Sequence, residues 1–305
     1  MADIYLYSKD VKQIGEMASF AQSSGFGACL ISLGESVSEE IQNSGVDSII
    51  QLAGSSSLPE TYAAAVATLL KERNAKAFLV ESSARGRDIA AHVAGILDAP
   101  MLSDVSSLQI NESGLLGEHV LYGGLMLRTV SIEGFGVATV QAGFCDAALS
   151  PGQPAQIEVI DNTQVDERIE LVESQAIVKS GTDLALAPVI VCVGLGLEKK
   201  DDILLADRLA QDCGGAVGCT RGVAEDREWM PAECYIGISG KILSPDLYLG
   251  IAVSGQVQHT YGIRGAKIIA AINVDENSPM VMSSDYAVIG DYKEILPLLN
   301  DSLCG

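Results

Sequence analysis

The sequence predicts an α/β protein built as two doubly wound, mostly parallel-sheet domains, the first with an added antiparallel β extension. In both halves, short apolar runs of strand length alternate with segments whose apolar residues recur at helical spacing. After Pro100 the texture changes to period-two alternation with frequent glycine, as in an antiparallel sheet. A polar, acidic stretch from Asp161 to Ala187 then reads as an inter-domain linker, giving domains at residues 1–187 and 188–305.

In the first half, Ile4–Tyr7, Ala28–Leu33, Ser48–Leu52 and Ala77–Val80 read as buried strands. Val11, Ile14, Met17, Ala18 and Ala21 form one helical stripe, Tyr62–Leu70 is rich in helix formers, and Ile89, Val93, Ile96 and Leu97 share a face. Two loops here carry polar groups. Ser82-Ser-Ala-Arg-Gly-Arg-Asp88 has the glycine and arginines of an anion site, but pairing of its arginines with acidic neighbours is the preferred reading. Gly54-Ser-Ser-Ser57 reads as a loop and N-cap. Next come Val105–Ile110, His119–Leu121, Leu125–Ile132, Gly136–Gln141 and Gln156–Ile160 as short strands, with turns at Gly123-Gly124 and Glu133-Gly134. His92 and His119 have no Cys or His at ligand spacing and read as structural.

In the second half, Val189–Val193, Ala216–Thr220, Tyr235–Ile238, Leu249–Val253, Ile268–Val274 and Tyr286–Ile289 read as strands. Ile203, Leu204, Ala206, Leu209 and Ala210 mark one helix, and Ile295, Leu298 and Leu299 the last. Several strand ends carry glycine with a hydroxyl, amide or charged residue: Gly194/Gly196, Thr220/Arg221, Ser239/Gly240/Lys241, Ser254/Gly255 and Asn273/Asp275. In a parallel sheet these ends gather along one edge, where ligands bind.

Composition bounds the partners. Apolar residues make up 48% of the 305, so both domains can bury a core. With 40 acidic against 19 basic residues and a net charge of −21, a nucleic-acid backbone is not the partner. No apolar run reaches the length of a membrane span, and the start has neither a signal nor a transit pattern. Seven cysteines without CxxC spacing imply reduced thiols, no metal, and a cytoplasmic protein.

The chemistry suggested by the motifs is binding rather than acid–base catalysis. The Gly194-Leu-Gly196 turn lacks the third glycine of the dinucleotide fingerprint. Gly237-Ile-Ser-Gly240 and Val253-Ser-Gly-Gln256 both miss the G-x-S-x-G elbow of hydrolases. Ser254-Gly255 suits an anion such as a pyrophosphate, though an ordinary strand-to-helix turn also favours Ser-Gly. What remains is a site rich in hydrogen bonds with one arginine, suited to a large anionic cofactor.

Ser254-Gly-Gln-Val-Gln-His259 with Gly262, Ala271-Ile-Asn-Val-Asp275, Ser278-Pro279, Ser284-Asp-Tyr286, Gly290-Asp291, and Ser239-Gly-Lys241 with Pro245, Leu247 and Tyr248 closely resemble the signature of electron transfer flavoprotein alpha subunits. Gly86-Arg-Asp88 and Leu102-Ser-Asp-Val105 extend the likeness into the first half. The resemblance implies an FAD-binding alpha subunit, partnered by a beta subunit in a heterodimer and carrying electrons between a dehydrogenase, acyl-CoA or other flavin-linked, and a redox acceptor protein. It leaves open whether the complex bifurcates electrons. It also implies that the first domain supplies partner-subunit contacts and the second holds FAD.

Position by position, the resemblance places Arg221 beside the isoalloxazine ring, where a positive charge favours an anionic reduced flavin. It puts Ser239 near the flavin N5, Gln258 and His259 towards the flavin and its ribityl chain, and Ser254 and Gly255 at the pyrophosphate. Asn273 and Asp291 fall towards the adenosine half, and Thr220, Gly240, Gln256, Val257 and Asp275 complete the cofactor-binding set. The sequence departs from the family in offering Lys199 and Lys200 where an arginine is common in the first glycine turn, and Ile238 where a glutamine is common. A nucleotide-binding regulatory or scaffold module without redox activity is the alternative reading.

Overall fold

The computed structural model describes residues 4–34, 36–122, 125–145, 154–161, 163–174 and 184–303. Contacts divide the chain into one unit over Met1–Gln175 and another over Ala176–Gly305.

The first unit is built on a seven-stranded parallel sheet. Its elements are β1 (Ile4–Tyr7), α1 (Val11–Ser23), β2 (Ala28–Leu33), α2 (Glu39–Gln42), β3 (Ser48–Leu52), α3 (Ala63–Glu72), β4 (Ala77–Glu81), α4 (Ala84–Leu97), β5 (Met101–Val105), β6 (Ser107–Asn111), β7 (Gly114–Leu121), β8 (Met126–Glu133), β9 (Gly136–Val140) and β10 (Gln156–Ile160). The strand order is β10-β3-β2-β1-β4-β9-β5. Both sheet faces are covered, which is why its strands read as unbroken apolar runs. Ile4, Leu6, Leu30 and Leu79 enter one core, while Tyr5, Tyr7, Ile31, Phe78 and Val80 enter the other.

The antiparallel region is smaller than the sequence pattern suggests. Of the predicted strand Val105–Ile110, Val105 closes β5 in the main sheet and Ser107–Ile110 belong to β6, since the chain leaves that sheet after Val105. Only β6, β7 and β8 form the antiparallel sheet. Strands β9 and β10 return to the parallel sheet instead, β9 fully buried between β4 and β5, and β10 beside β3 at the edge. Alternation alone does not distinguish these destinations, since a strand has period two in either kind of sheet. The predicted turn at Gly123-Gly124 lies outside the described residues.

The strand order reverses between β1 and β4, the crevice where such folds bind ligands. Here a side chain takes that position. Glu81 accepts hydrogen bonds from the Ser8 hydroxyl, the Lys9 N–H (3.2 Å) and the Ser83 hydroxyl (2.8 Å). Ser83 also caps α4 by accepting from the Gly86 N–H at 2.9 Å, and Arg87 pairs with Asp104 at 3.1 Å. The Ser82–Asp88 loop is thus a helix cap with a paired arginine.

The second unit carries a five-stranded parallel sheet of β11 (Val189–Val193), β12 (Ala216–Cys219), β13 (Leu247–Ile251), β14 (Ile268–Asn273) and β15 (Tyr286–Ile289), ordered β12-β11-β13-β14-β15. Helices α5 (Ile203–Asp212) and α8 (Tyr292–Leu303) pack through Ala206, Leu209 and Leu296 against Val191, Val193 and Ile272. The short helices α6 (Val257–Thr260) and α7 (Pro279–Met282) follow β13 and β14. Leu184 and Ala187 already belong to this unit's core.

The predicted strand Tyr235–Ile238 is absent as a regular element. Tyr235 and Ile236 each make one parallel bridge, to Cys219 and Lys241. Gly237, at φ 150°, turns the chain instead, and its N–H donates to the Lys241 carbonyl at 3.1 Å.

Candidate functional site

In the second unit the strand order reverses between β11 and β13, so the loops leaving these two strands diverge and open a crevice above the sheet. A cleft of about 500 Å³ occupies that position. Such a volume is typical of small-molecule sites.

Close backbone contact builds its floor. The Gly194 N–H donates to the Ile251 carbonyl at 2.9 Å, and the Gly196 N–H to the Ala252 carbonyl at 3.2 Å. A Cβ on Gly194 would lie 2.1 Å from the Ala252 oxygen, and one on Gly196 would lie 2.8 Å from the Ala252 Cβ. Ala252 itself is left-handed, with φ 52°, a conformation unfavourable for a residue with a side chain. These glycines serve the fit of two loops, a reason independent of the dinucleotide fingerprint. Gly255, at φ 80°, turns β13 towards α6, and a Cβ there would lie 2.2 Å from the Met280 nitrogen.

Polar groups converge on the cleft from the ends of β12, β13 and β14 and from the turn that carries Ser239. Of the residues singled out in the sequence, Thr220, Arg221, Ser239, Ser254, Gln256, Gln258, His259, Asn273 and Asp275 line it. Leu195, Gly222, Tyr235, Ile236 and Val253 line it too, although their residue types carried no ligand signal, as does Ser278 of the Ser278-Pro279 motif. Gly240 and Gly255 shape neighbouring turns, Val257 is exposed on α6, and Asp291 accepts from the Lys293 N–H at 2.9 Å at the start of α8. Ile238, Lys199 and Lys200 are exposed.

Arg221 begins a wide turn after β12 that continues over Gly222–Asp226 in π-helical form, a local geometry frequent at functional sites. Its Nε donates to the Glu225 carboxylate at 2.6 Å, and its side chain is 65% exposed. The positive charge at the cleft is therefore held by a carboxylate one helical turn on. The buried Thr220 hydroxyl oxygen has no hydrogen-bond partner among the described residues. A buried polar atom left unpaired is costly, and at the wall of a cleft it identifies a place for a ligand group.

His259 is held by hydrogen bonds inside the protein. Its Nδ1 lies 3.0 Å from the Ile236 carbonyl and its Nε2 lies 2.7 Å from the Tyr248 hydroxyl. A carbonyl only accepts, so Nδ1 carries the proton, and Nε2 accepts from the tyrosine. Both nitrogens are spent inside the protein, and no N–H remains for a ligand. Burial depresses the imidazole pKa from 6.5 to about 4, so the ring is neutral. Cys192 lies 3.8 Å from Nε2, and burial pushes its thiol up to about 12. Asn273 is likewise a strut: its Nδ2 donates to the Val253 carbonyl at 2.9 Å and its Oδ1 accepts from the Asp275 N–H at 3.1 Å.

A doubly wound sheet with a polar cleft at its switch point, one arginine, several hydroxyls and amides, and an unpaired buried donor defines a protein that binds a nucleotide-type cofactor. Known proteins narrow this class. Residues 183–264 match the electron transfer flavoprotein FAD-binding domain, and residues 19–165 match the electron transfer flavoprotein domain. Protein FixB of Salmonella typhimurium is 32% identical over 99% of this chain and 98% of its own. A putative electron transfer flavoprotein subunit, YdiR, of Escherichia coli is 31% identical over 98% of this chain and 97% of its own. The chain belongs to the electron transfer flavoprotein family, as an alpha-type subunit with FAD as its cofactor.

Two outcomes test this geometry. Gly194→Ala introduces a Cβ against the Ala252 carbonyl and costs about 1–3 kcal/mol of stability together with loss of retained flavin, read by urea unfolding and by the absorbance of the purified protein. The His259 ring also makes stability pH-dependent. Because the folded-state pKa is depressed, its contribution is complete above the unfolded pKa of 6.5 and declines as pH falls to about 4. The stability advantage of the wild type over His259→Gln shrinks by about 3 kcal/mol between pH 7 and pH 4 in urea titrations.

Proposed function

We propose that this chain is the FAD-binding alpha subunit of a heterodimeric electron transfer flavoprotein, with the cleft above β11 and β13 as its contribution to the cofactor site. The observation that carries the reading is the unpaired, buried Thr220 hydroxyl beside Arg221 in a cleft lined by Ser239, Ser254, Gln256 and Gln258. This donor set fits FAD: hydroxyls and amides match the many acceptors of a ribityl chain and pyrophosphate, and one guanidinium complements the anionic charge.

Bound FAD supplies reversible electron acceptance. The chain's own residues determine how favourable that is. Arg221 places positive charge at the cleft, moderated by Glu225, and favours a gain of electron density nearby. Thr220 and Ser239 offer hydroxyl protons, and the Ser254–Gln256 turn offers a hydroxyl, an amide and backbone N–H groups to an anion. Gln258 adds an amide, while Asn273 and Asp275 keep the end of β14 tied to that of β13. His259 holds the wall neutral and dry, which strengthens the charge effects of its neighbours.

On this reading the redox partners are a dehydrogenase, acyl-CoA or other flavin-linked, on the donor side and an acceptor protein on the other, and the complex works in the cytoplasm. Among the described residues no helix is long and apolar enough to cross a membrane.

Co-expression with a candidate beta subunit, followed by visible spectra before and after dithionite, tests the assignment. A bleachable flavin spectrum supports it, and a folded heterodimer without flavin overturns it. In the holoprotein, Arg221→Ala lowers the flavin potential, with a roughly three- to tenfold fall in the reduced-to-oxidised ratio at fixed ambient potential. Glu225→Gln moves it in the opposite direction, since it removes the charge that offsets Arg221. An unchanged potential in both variants removes Arg221 from this role.

A further inference from the structure

Tyr235 carried no signal in the sequence beyond an apolar strand position, yet it lines the cleft while only 7% exposed. Its hydroxyl lies 3.0 Å from the Ser239 Oγ. The intervening turn closes over this residue. The Tyr235 carbonyl accepts from the Lys241 N–H at 2.8 Å, and the Gly240 N–H closes back on the Gly237 carbonyl at 3.0 Å. The turn also wraps the phenol ring without room for side chains: a Cβ on Gly240 would lie 2.7 Å from Tyr235 Cδ1, and one on Gly237 would lie 3.1 Å from the Tyr235 hydroxyl. Ser239, itself exposed, is therefore placed by the ring beneath it.

The direction of the bond follows from the chemistry of the two hydroxyls. A phenol is the more acidic and better donor, and an alkyl hydroxyl the better acceptor. A serine that accepts keeps its only proton for another partner, and an accepted bond strengthens the one it donates.

We propose that Tyr235 is a positioning residue for Ser239: its phenol donates to the Ser239 oxygen and reserves the serine proton for the cofactor in the cleft. This rests on the reading of Ser239 as a cofactor-facing hydroxyl. A donor aimed at the cofactor favours the electron-rich form, so Tyr235 raises the flavin potential without touching the flavin.

The test is a double-mutant cycle on the flavin-loaded heterodimer, with potentials measured at saturating FAD. Tyr235→Phe keeps the ring that fills the turn and removes only the hydroxyl. Both Ser239→Ala and Tyr235→Phe lower the reduced-to-oxidised ratio at fixed ambient potential, by about two- to tenfold each, the range one net hydrogen bond supports. The double variant is no lower than Ser239→Ala alone, because the tyrosine acts only through the serine. A purely packing role would instead shift the melting temperature and leave the potential in place. If Ser239→Ala lowers the potential and Tyr235→Phe does not, or if their effects add, the positioning role is overturned while the cofactor-facing reading of Ser239 stands. If Ser239→Ala leaves the potential unchanged, both are overturned. Loss of flavin at saturating FAD from Tyr235→Phe, but not from Ser239→Ala, also overturns the proposal, since the effect then does not pass through the serine.

Discussion

The site in the second unit depends on one buried imidazole. His259 joins α6 to β13 through Tyr248 and to the segment after β12 through the Ile236 carbonyl, so three separate stretches of chain meet on one ring. The lock holds because the ring is neutral. A proton on Nε2 would confront the Tyr248 hydroxyl with a donor and place a charge at a site 7% exposed, which burial opposes. With the ring fixed, the Gly237–Gly240 turn lies against Gln258, the two tied where the Ile238 N–H donates to the Gln258 carbonyl at 2.9 Å.

Around this lock the chain accepts local strain. Ala252 is left-handed where a glycine would be relaxed, and Gly194 and Gly196 have lost any room for a side chain because Ala252 lies against them. The gain is close approach of the loops after β11 and β13 at the point where the sheet reverses direction. The corresponding crevice of the first unit is satisfied from within by Glu81, which accepts from Ser8, Lys9 and Ser83. Two sheets of the same topology class thus reach different ends. In one, a carboxylate of the chain takes the hydrogen bonds at the switch point, and in the other a hydroxyl on Thr220 is left without a partner among the described residues.

The electrostatics of the cleft are moderated on every side. At the cleft Arg221 is paired with Glu225, and the His259 ring is kept neutral by burial. What distinguishes the cleft is the concentration of neutral donors beside two charged side chains, Arg221 and Asp275. Such donors favour negative charge on a ligand without the desolvation cost of further buried ions.

Much of this was legible in the sequence, for definite reasons. Strands β1 to β4, β11, β14 and β15 are buried or edge-paired runs whose apolar pattern is set by local chemistry, and the Thr220-Arg221 and Ser254-Gly255 pairs after β12 and β13 mark the ligand edge. The resemblance carried by Ser254–His259 and its companions identified the family. The sequence did not reveal that β9 and β10 rejoin the parallel sheet, because period two is shared by both pairings, nor that Tyr235–Ile238 is a turn, because a bridge needs partners brought from Cys219 and Lys241. It also left His259 free to act as a donor. Composition and periodicity therefore determined the architecture and the edge where binding occurs, since both follow from burial of side chains along one chain. Only the tertiary structure decided which hydrogen bonds each polar residue has left to give, because the fold brings Tyr248 and the Ile236 carbonyl to His259, closes the turn that sets Ser239 against Tyr235, and buries the Thr220 hydroxyl.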